Sequence, residues 1–157
     1  MEDIYNIERF KQAQDCGVFE RALEEVQSGR KTGHWILFIF PQLRGFGHSY
    51  NTHFYGITCA AEARAYLADP VLGGRLRAIT QAFLGTSLSP FEVFGRVDTL
   101  KLRSCMTLFD FVSPNDLFGQ VLDAKYEGAR DLDSLELLQN PHHQPDWPRK
   151  SLFNPNN

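Results

Sequence analysis

The chain has 157 residues, 43% of them hydrophobic and 13% aromatic, with a formal net charge of −3. That is enough apolar material for one domain with a ring-filled core, and it argues against intrinsic disorder. The acidic total and the lack of a basic recognition helix disfavour a nucleic-acid partner.

The charge is unevenly placed: net −4 over residues 1–28, +5 over 29–103 and −4 over 104–157, summing to −3. A basic middle between acidic flanks favours an anionic ligand on the central segment, unless the flanks fold back and neutralise it. The N-terminus MEDIYNIERF has no apolar signal core, and the longest apolar run is about a third of the roughly 20 residues that span a bilayer. Cys16, Cys59 and Cys105 cannot all pair, which points to a reducing compartment. The expectation is therefore a cytoplasmic protein with no membrane partner.

In chain order, Asn6 can cap a short helix running to about Gln14. Phe19, Ala22, Leu23 and Val26 form one stripe of a second helix that stops at Gly29. The run 34–40 is rich in rings but shows no alternation and has no obvious strand partner, so it reads as a buried helix ended by Pro41. Residues 41–57 read as an irregular loop, and Thr58 opens the next helix. Asp69-Pro70 and Ser89-Pro90 are cap-and-proline starts; the first opens a helix carrying Leu72, Leu76, Ile79 and Phe83. The second opens a short turn to Phe94, closed by Gly95. Asp98 can cap a helix carrying Leu102, Met106 and Phe109. Ser113-Pro114 opens another, and Leu132, Leu135 and Leu138 mark the last. From Asn140 the chain is proline-rich. The expected architecture is an all-α, compact single-domain helical bundle over residues 1–139, with a long irregular loop after the first helices and a C-terminal arm over 140–157.

Three constellations could carry chemistry. Arg30 and Lys31, at a helix junction, could hold a phosphate or carboxylate, and His34 beside them could carry a proton. Their structural alternative is a cationic complement to a helix C-terminus. In Pro41-Gln42-Leu43-Arg44-Gly45-Phe46-Gly47, Gln42 has donors and an acceptor suited to a base or amide. The glycines lack the spacing and strand context of a dinucleotide fingerprint. Around Asp98, Lys101, Arg103 and Ser104 could meet an anion held by the first cluster, or Asp98 and Lys101 could simply pair. Five histidines appear without HExxH, CxxC or paired-carboxylate spacing, so neither a metal nor a cofactor is expected.

The segments GRKTGHWILFIFPQLRGFG, YGI with EARAYLADPVLGGRL, and FGRVDTLKLRSCMTLF resemble the bacterial family known as domain of unknown function 1810, from about Arg9 to Leu138. The resemblance implies a mainly helical fold and supplies no established activity and no catalytic residues. Cys105 stands where a second serine is usual in that family, which speaks against an essential hydroxyl there. Some members are labelled calpastatin, a name implying a disordered inhibitor; a capped, ring-filled helical domain is not that.

Two functions follow from these residues. In the first, Arg30, Lys31, Lys101 and Arg103 hold a small anionic, nucleotide-like or phosphorylated ligand, Gln42 and Tyr55 orient it, Ser104 is a further binding residue, and His34 is the proton carrier. In the second, the chain is a non-catalytic interaction domain whose acidic first helix pair or C-terminal arm docks a protein partner of unknown identity, with Trp147 and Phe153 of the arm as contacts.

Overall fold

A computed structural model describes residues 2–140. Nine helices are found among them: α1 (Glu8–Gln14), α2 (Val18–Gln27), α3 (Ile36–Ile39), α4 (Tyr50–Phe54), α5 (Ala60–Ala68), α6 (Pro70–Leu84), α7 (Pro90–Val112), α8 (Leu117–Lys125) and α9 (Leu132–Gln139). The fold is all-α, with no strand among the described residues beyond one isolated parallel bridge between Leu43 and Ile57. The expected arm, with Trp147 and Phe153, lies outside the described residues apart from Asn140.

The long helix α7 packs against α3, α5, α8 and α9, while α6 packs against α2, α5 and α8. Phe10, Phe40, Tyr66, Phe83, Phe109 and Phe118 are fully buried in the core between them. Ring edges meet ring faces there, as in Phe10–Tyr66 and Phe83–Phe94, both with centroids 5.1 Å apart.

Local signals set most helix starts. Asp69 accepts from the amides of Val71 and Leu72, with Pro70 in the first turn. Ser89 and Glu92 form a reciprocal capping box. Three starts differ from the sequence expectation. Asn6 does not cap α1; it takes a left-handed turn, and Asp3 accepts from the amides of Ile7 and Glu8 instead. α5 begins after Cys59, because the amide and hydroxyl of Thr58 both donate back to Glu62. α8 is capped by Asp116 rather than opened by Pro114. The two helices expected on either side of Gly95 are both present, joined within α7 across a kink where Gly95 takes a non-helical φ 80°, ψ 178°. Asp98, expected to cap the second segment, instead lies just past the kink and turns its side chain to Lys31 and Lys101.

The apolar run 34–40 condenses to the single turn α3, because the preceding loop is drawn away toward Glu25. The loop 41–57 is less irregular than its composition suggests. Its base is closed by the amide of Ile57 donating to the Gln42 carbonyl at 2.9 Å and that of Arg44 to the Ile57 carbonyl at 2.8 Å. Arg9 then clamps it, donating to the carbonyls of Phe54 and Gly56, to those of Tyr5 and Asn6, and to Glu62 at 2.7 Å. Both members of that ion pair are buried, and the guanidinium donors are shared among five acceptors.

Candidate functional site

The candidate site is built where the α2–α3 loop meets the kinked start of α7. α2 ends in a left-handed turn at Gly29, with φ 87°, a conformation that strains any larger residue; an added Cβ would also stand 2.7 Å from the Leu88 methyl, which would have to shift. The next residues wrap around Glu25. One of its oxygens accepts from the amides of Thr32 (2.7 Å) and Gly33 (2.9 Å) and from the indole of Trp35 (2.9 Å). Burial opposes the charge on Glu25, yet these donors outweigh it and hold its pKa at about 2.

That anchoring sets Trp35 into the core against Phe40 and Phe94, with ring centroids 6.2 Å away in each case. The Lys31 ammonium lies 5.2 Å from the Trp35 ring centroid, donates to the Gly33 carbonyl at 2.6 Å, and pairs with Asp98 at 2.7 Å. The Lys31 amide is bound to the Val93 carbonyl, tying the loop to α7. Asp98 also faces Lys101, but at 3.7 Å, and the Lys101 side chain keeps 32% of its surface exposed against 8% for Lys31. One carboxylate thus stands between two ammonium groups, one committed and one reaching water.

The other expected site residues divide. Arg30 and His34 are exposed on the same loop as Lys31. Gln42 is buried two residues beyond Phe40, and its Nε2 has no partner. Tyr55 is half-buried among Phe10, Phe38 and Phe54 at the base of the loop. Arg103 does not join the lysines. Two residues beyond Lys101 on a helix, it points about 160° away, on the Thr99 face where Tyr126 donates its hydroxyl to the Thr99 carbonyl. Burial pushes the Tyr126 phenol up, with the nearby Arg103 pulling the other way. Ser104 is committed to structure: its hydroxyl donates to Asp131 at 2.8 Å, which also receives Ser134, and this fastens α9 to α7. The sequence reading missed Glu25 and Trp35. An indole that needs an acceptor, close to an acidic helix end, was the available signal.

A cleft of about 230 Å³ lies beside Tyr5, Arg9, Arg44 and Glu62, and a groove of about 520 Å³ lies between the end of α2 and the α6–α7 loop. Neither is lined by Arg30, Lys31, Gln42 or Lys101. Among the described residues no cluster of three or more His, Cys, Asp or Glu is placed to hold a metal ion, and no helix is long and apolar enough to cross a membrane.

The chain is similar to a solved structure, the conserved hypothetical protein Rv1873 from Mycobacterium tuberculosis. The two share 41% identity and a TM-score of 0.84, over 87% of this chain and 99% of that one. No curated protein matches the chain. Residues 4–138 match the family described as "Protein of unknown function (DUF1810)". With that match over most of its length, the chain belongs to the DUF1810 family.

Proposed function

We propose that the protein binds a small anionic ligand, phosphorylated or nucleotide-like, where Arg30, His34 and Lys101 surround the Lys31–Asp98 pair. The observation that carries this reading is the shared carboxylate. Asp98 neutralises one lysine, the desolvated Lys31, and leaves Lys101 a nearly whole charge at the surface. Exposed Arg30 adds a second cation on the adjoining loop. An anion entering there would meet flexible, hydrated donors on the loop that carries Lys31 and on α7. His34 is the imidazole on this surface, the side-chain type suited to proton transfer, so any catalysis would be transfer or cleavage at a phosphate or glycosidic bond. Free Cys16, Cys59 and Cys105 support a reducing, cytoplasmic setting.

The test is thermal unfolding with inorganic pyrophosphate, ribose 5-phosphate and nucleoside monophosphates. A probe at a hundred times its Kd adds about 2.7 kcal/mol, a rise of about 5–10 °C for a chain of this size. Lys101→Ala together with Arg30→Ala should remove the rise, and raised salt should weaken it. No shift with any probe, or an undiminished shift in the double variant, ends the proposal. A second reading, a non-catalytic interaction domain, draws on Val97 and Leu100, which sit next to Lys101 on α7 and are 63% and 56% exposed. It gains if no probe binds and Leu100→Asp abolishes a self-association seen in the unaltered chain.

A further inference from the structure

Gln42 is 4% exposed, yet its Nε2 has no hydrogen-bond partner. Its neighbours Pro41 and Leu43 are buried with it. Its backbone cannot swing outward, because its carbonyl accepts from Ile57 and the next rung, from Arg44 to Ile57, closes behind it. A buried amide without a partner is less favourable than an apolar side chain of the same shape, so its presence needs a reason. The buried Thr80 hydroxyl and Arg103 Nε are also unpartnered, but Thr80 lies on α6 and Arg103 on the far face of α7. Gln42 instead stands two residues past Phe40, whose ring meets Trp35 and Phe94, the floor beneath Lys31.

We infer that the Gln42 amide donates to a carbonyl oxygen of the bound molecule. The site then takes a phosphorylated compound that also bears a nucleobase lactam or a carboxamide, rather than a bare phosphate. This inference rests on the anion site proposed above and adds the second half of its ligand. The acceptor is a neutral carbonyl because Gln42 is flanked by Pro41, Leu43 and Ile57, all buried. A charged oxygen placed among them would lose its hydration without a cation beside it. The phosphate belongs with Arg30 and Lys101, where water and positive charge remain.

The experiment compares ribose 5-phosphate with uridine 5′-monophosphate on the unaltered chain and on Gln42→Met, by calorimetry and thermal unfolding. The unaltered chain should bind the nucleotide at least tenfold more tightly than the sugar phosphate. Gln42→Met, free of probes, should melt about 2–4 °C higher, bind ribose 5-phosphate unchanged, and lose the nucleotide's advantage. A Met variant that melts at or below the original temperature shows the amide already satisfied and overturns the inference; so does one that keeps the nucleotide preference. Equal binding of both probes by the unaltered chain also overturns it, while leaving the anion site standing. If neither probe binds the unaltered chain, the anion reading falls and takes this inference with it. Should the Met variant not fold, Gln42→Glu keeps the shape and exchanges donor for acceptor; it too must lose the nucleotide's advantage.

Discussion

Replacing Glu25 with Gln tests the anchoring of the site loop. One Glu25 oxygen holds three donors, two of them backbone amides of the loop that presents Arg30, Lys31 and His34. Those bonds lower its pKa from an ordinary 4.5 to about 2. At 1.36 kcal/mol per tenfold this corresponds to roughly 3 kcal/mol. Thr32 is exposed, so water screens part of it, and about 1.5 kcal/mol is the expected net effect. A folded-state pKa below the unfolded one stabilises the protein above the unfolded value and ceases to as pH falls through the folded value. Urea unfolding of the original and Glu25→Gln chains should therefore differ by about 1.5 kcal/mol from pH 7 to about 5. The difference should close as pH drops from about 4.5 toward 2, where the original carboxylate also takes up its proton. The same variant should weaken phosphate binding, because the loop is no longer held. A gap as large at pH 2.5 as at pH 7, or none at pH 7, refutes the reasoning.

Arg9→Met strands the buried Glu62 carboxylate and releases the Phe54 and Gly56 carbonyls. It should cost about 3–5 kcal/mol in chemical denaturation and speed amide exchange at Tyr55 and Ile57; a loss under about 1 kcal/mol would mean the clamp is dispensable. Cysteine reactivity should follow burial. Exposed Cys16 should react quickly with a disulfide reagent, and Cys105, fully buried and with its thiol pushed up by burial, should react only as the protein unfolds. Labelling of Cys105 in native buffer at the rate of Cys16 would contradict the packing of α7.

What could be read in advance was local. Asp69-Pro70 and Ser89-Pro90 announce their helices because cap, proline and first-turn amides lie within four residues of one another. The stripe Leu72, Leu76, Ile79 and Phe83 is buried as its spacing requires. What could not be read were side-chain partnerships across the fold: Arg9 with Glu62, Lys31 with Asp98, Glu25 with Trp35. Each joins residues ten or more positions apart and depends on how helices dock, which periodicity does not encode. The separation of Lys101 from Arg103 was different. Helical phase alone puts residues two apart on opposite faces, so this part of the arrangement was within reach of the sequence.

The basic middle of the chain is neutralised unevenly, and the unevenness supports the proposed site. Arg75 and Arg77 on α6 reach out to Asp15 and Asp116, both in the acidic flanks, so the flanks do fold back on that side. Lys31 and Lys101 instead share Asp98, which belongs to the middle segment itself. A carboxylate between two ammonium groups can cancel only one of them. The desolvated Lys31, fastened by Gly33 and lying over Trp35, has the shorter contact and claims that charge. Lys101 then carries its charge into solvent, where an effective dielectric near 20 still lets it act over several ångströms. A protein with net negative charge thereby keeps a positive charge reaching water beside the Lys31–Asp98 pair, with Arg30 and His34 exposed on the loop that carries Lys31.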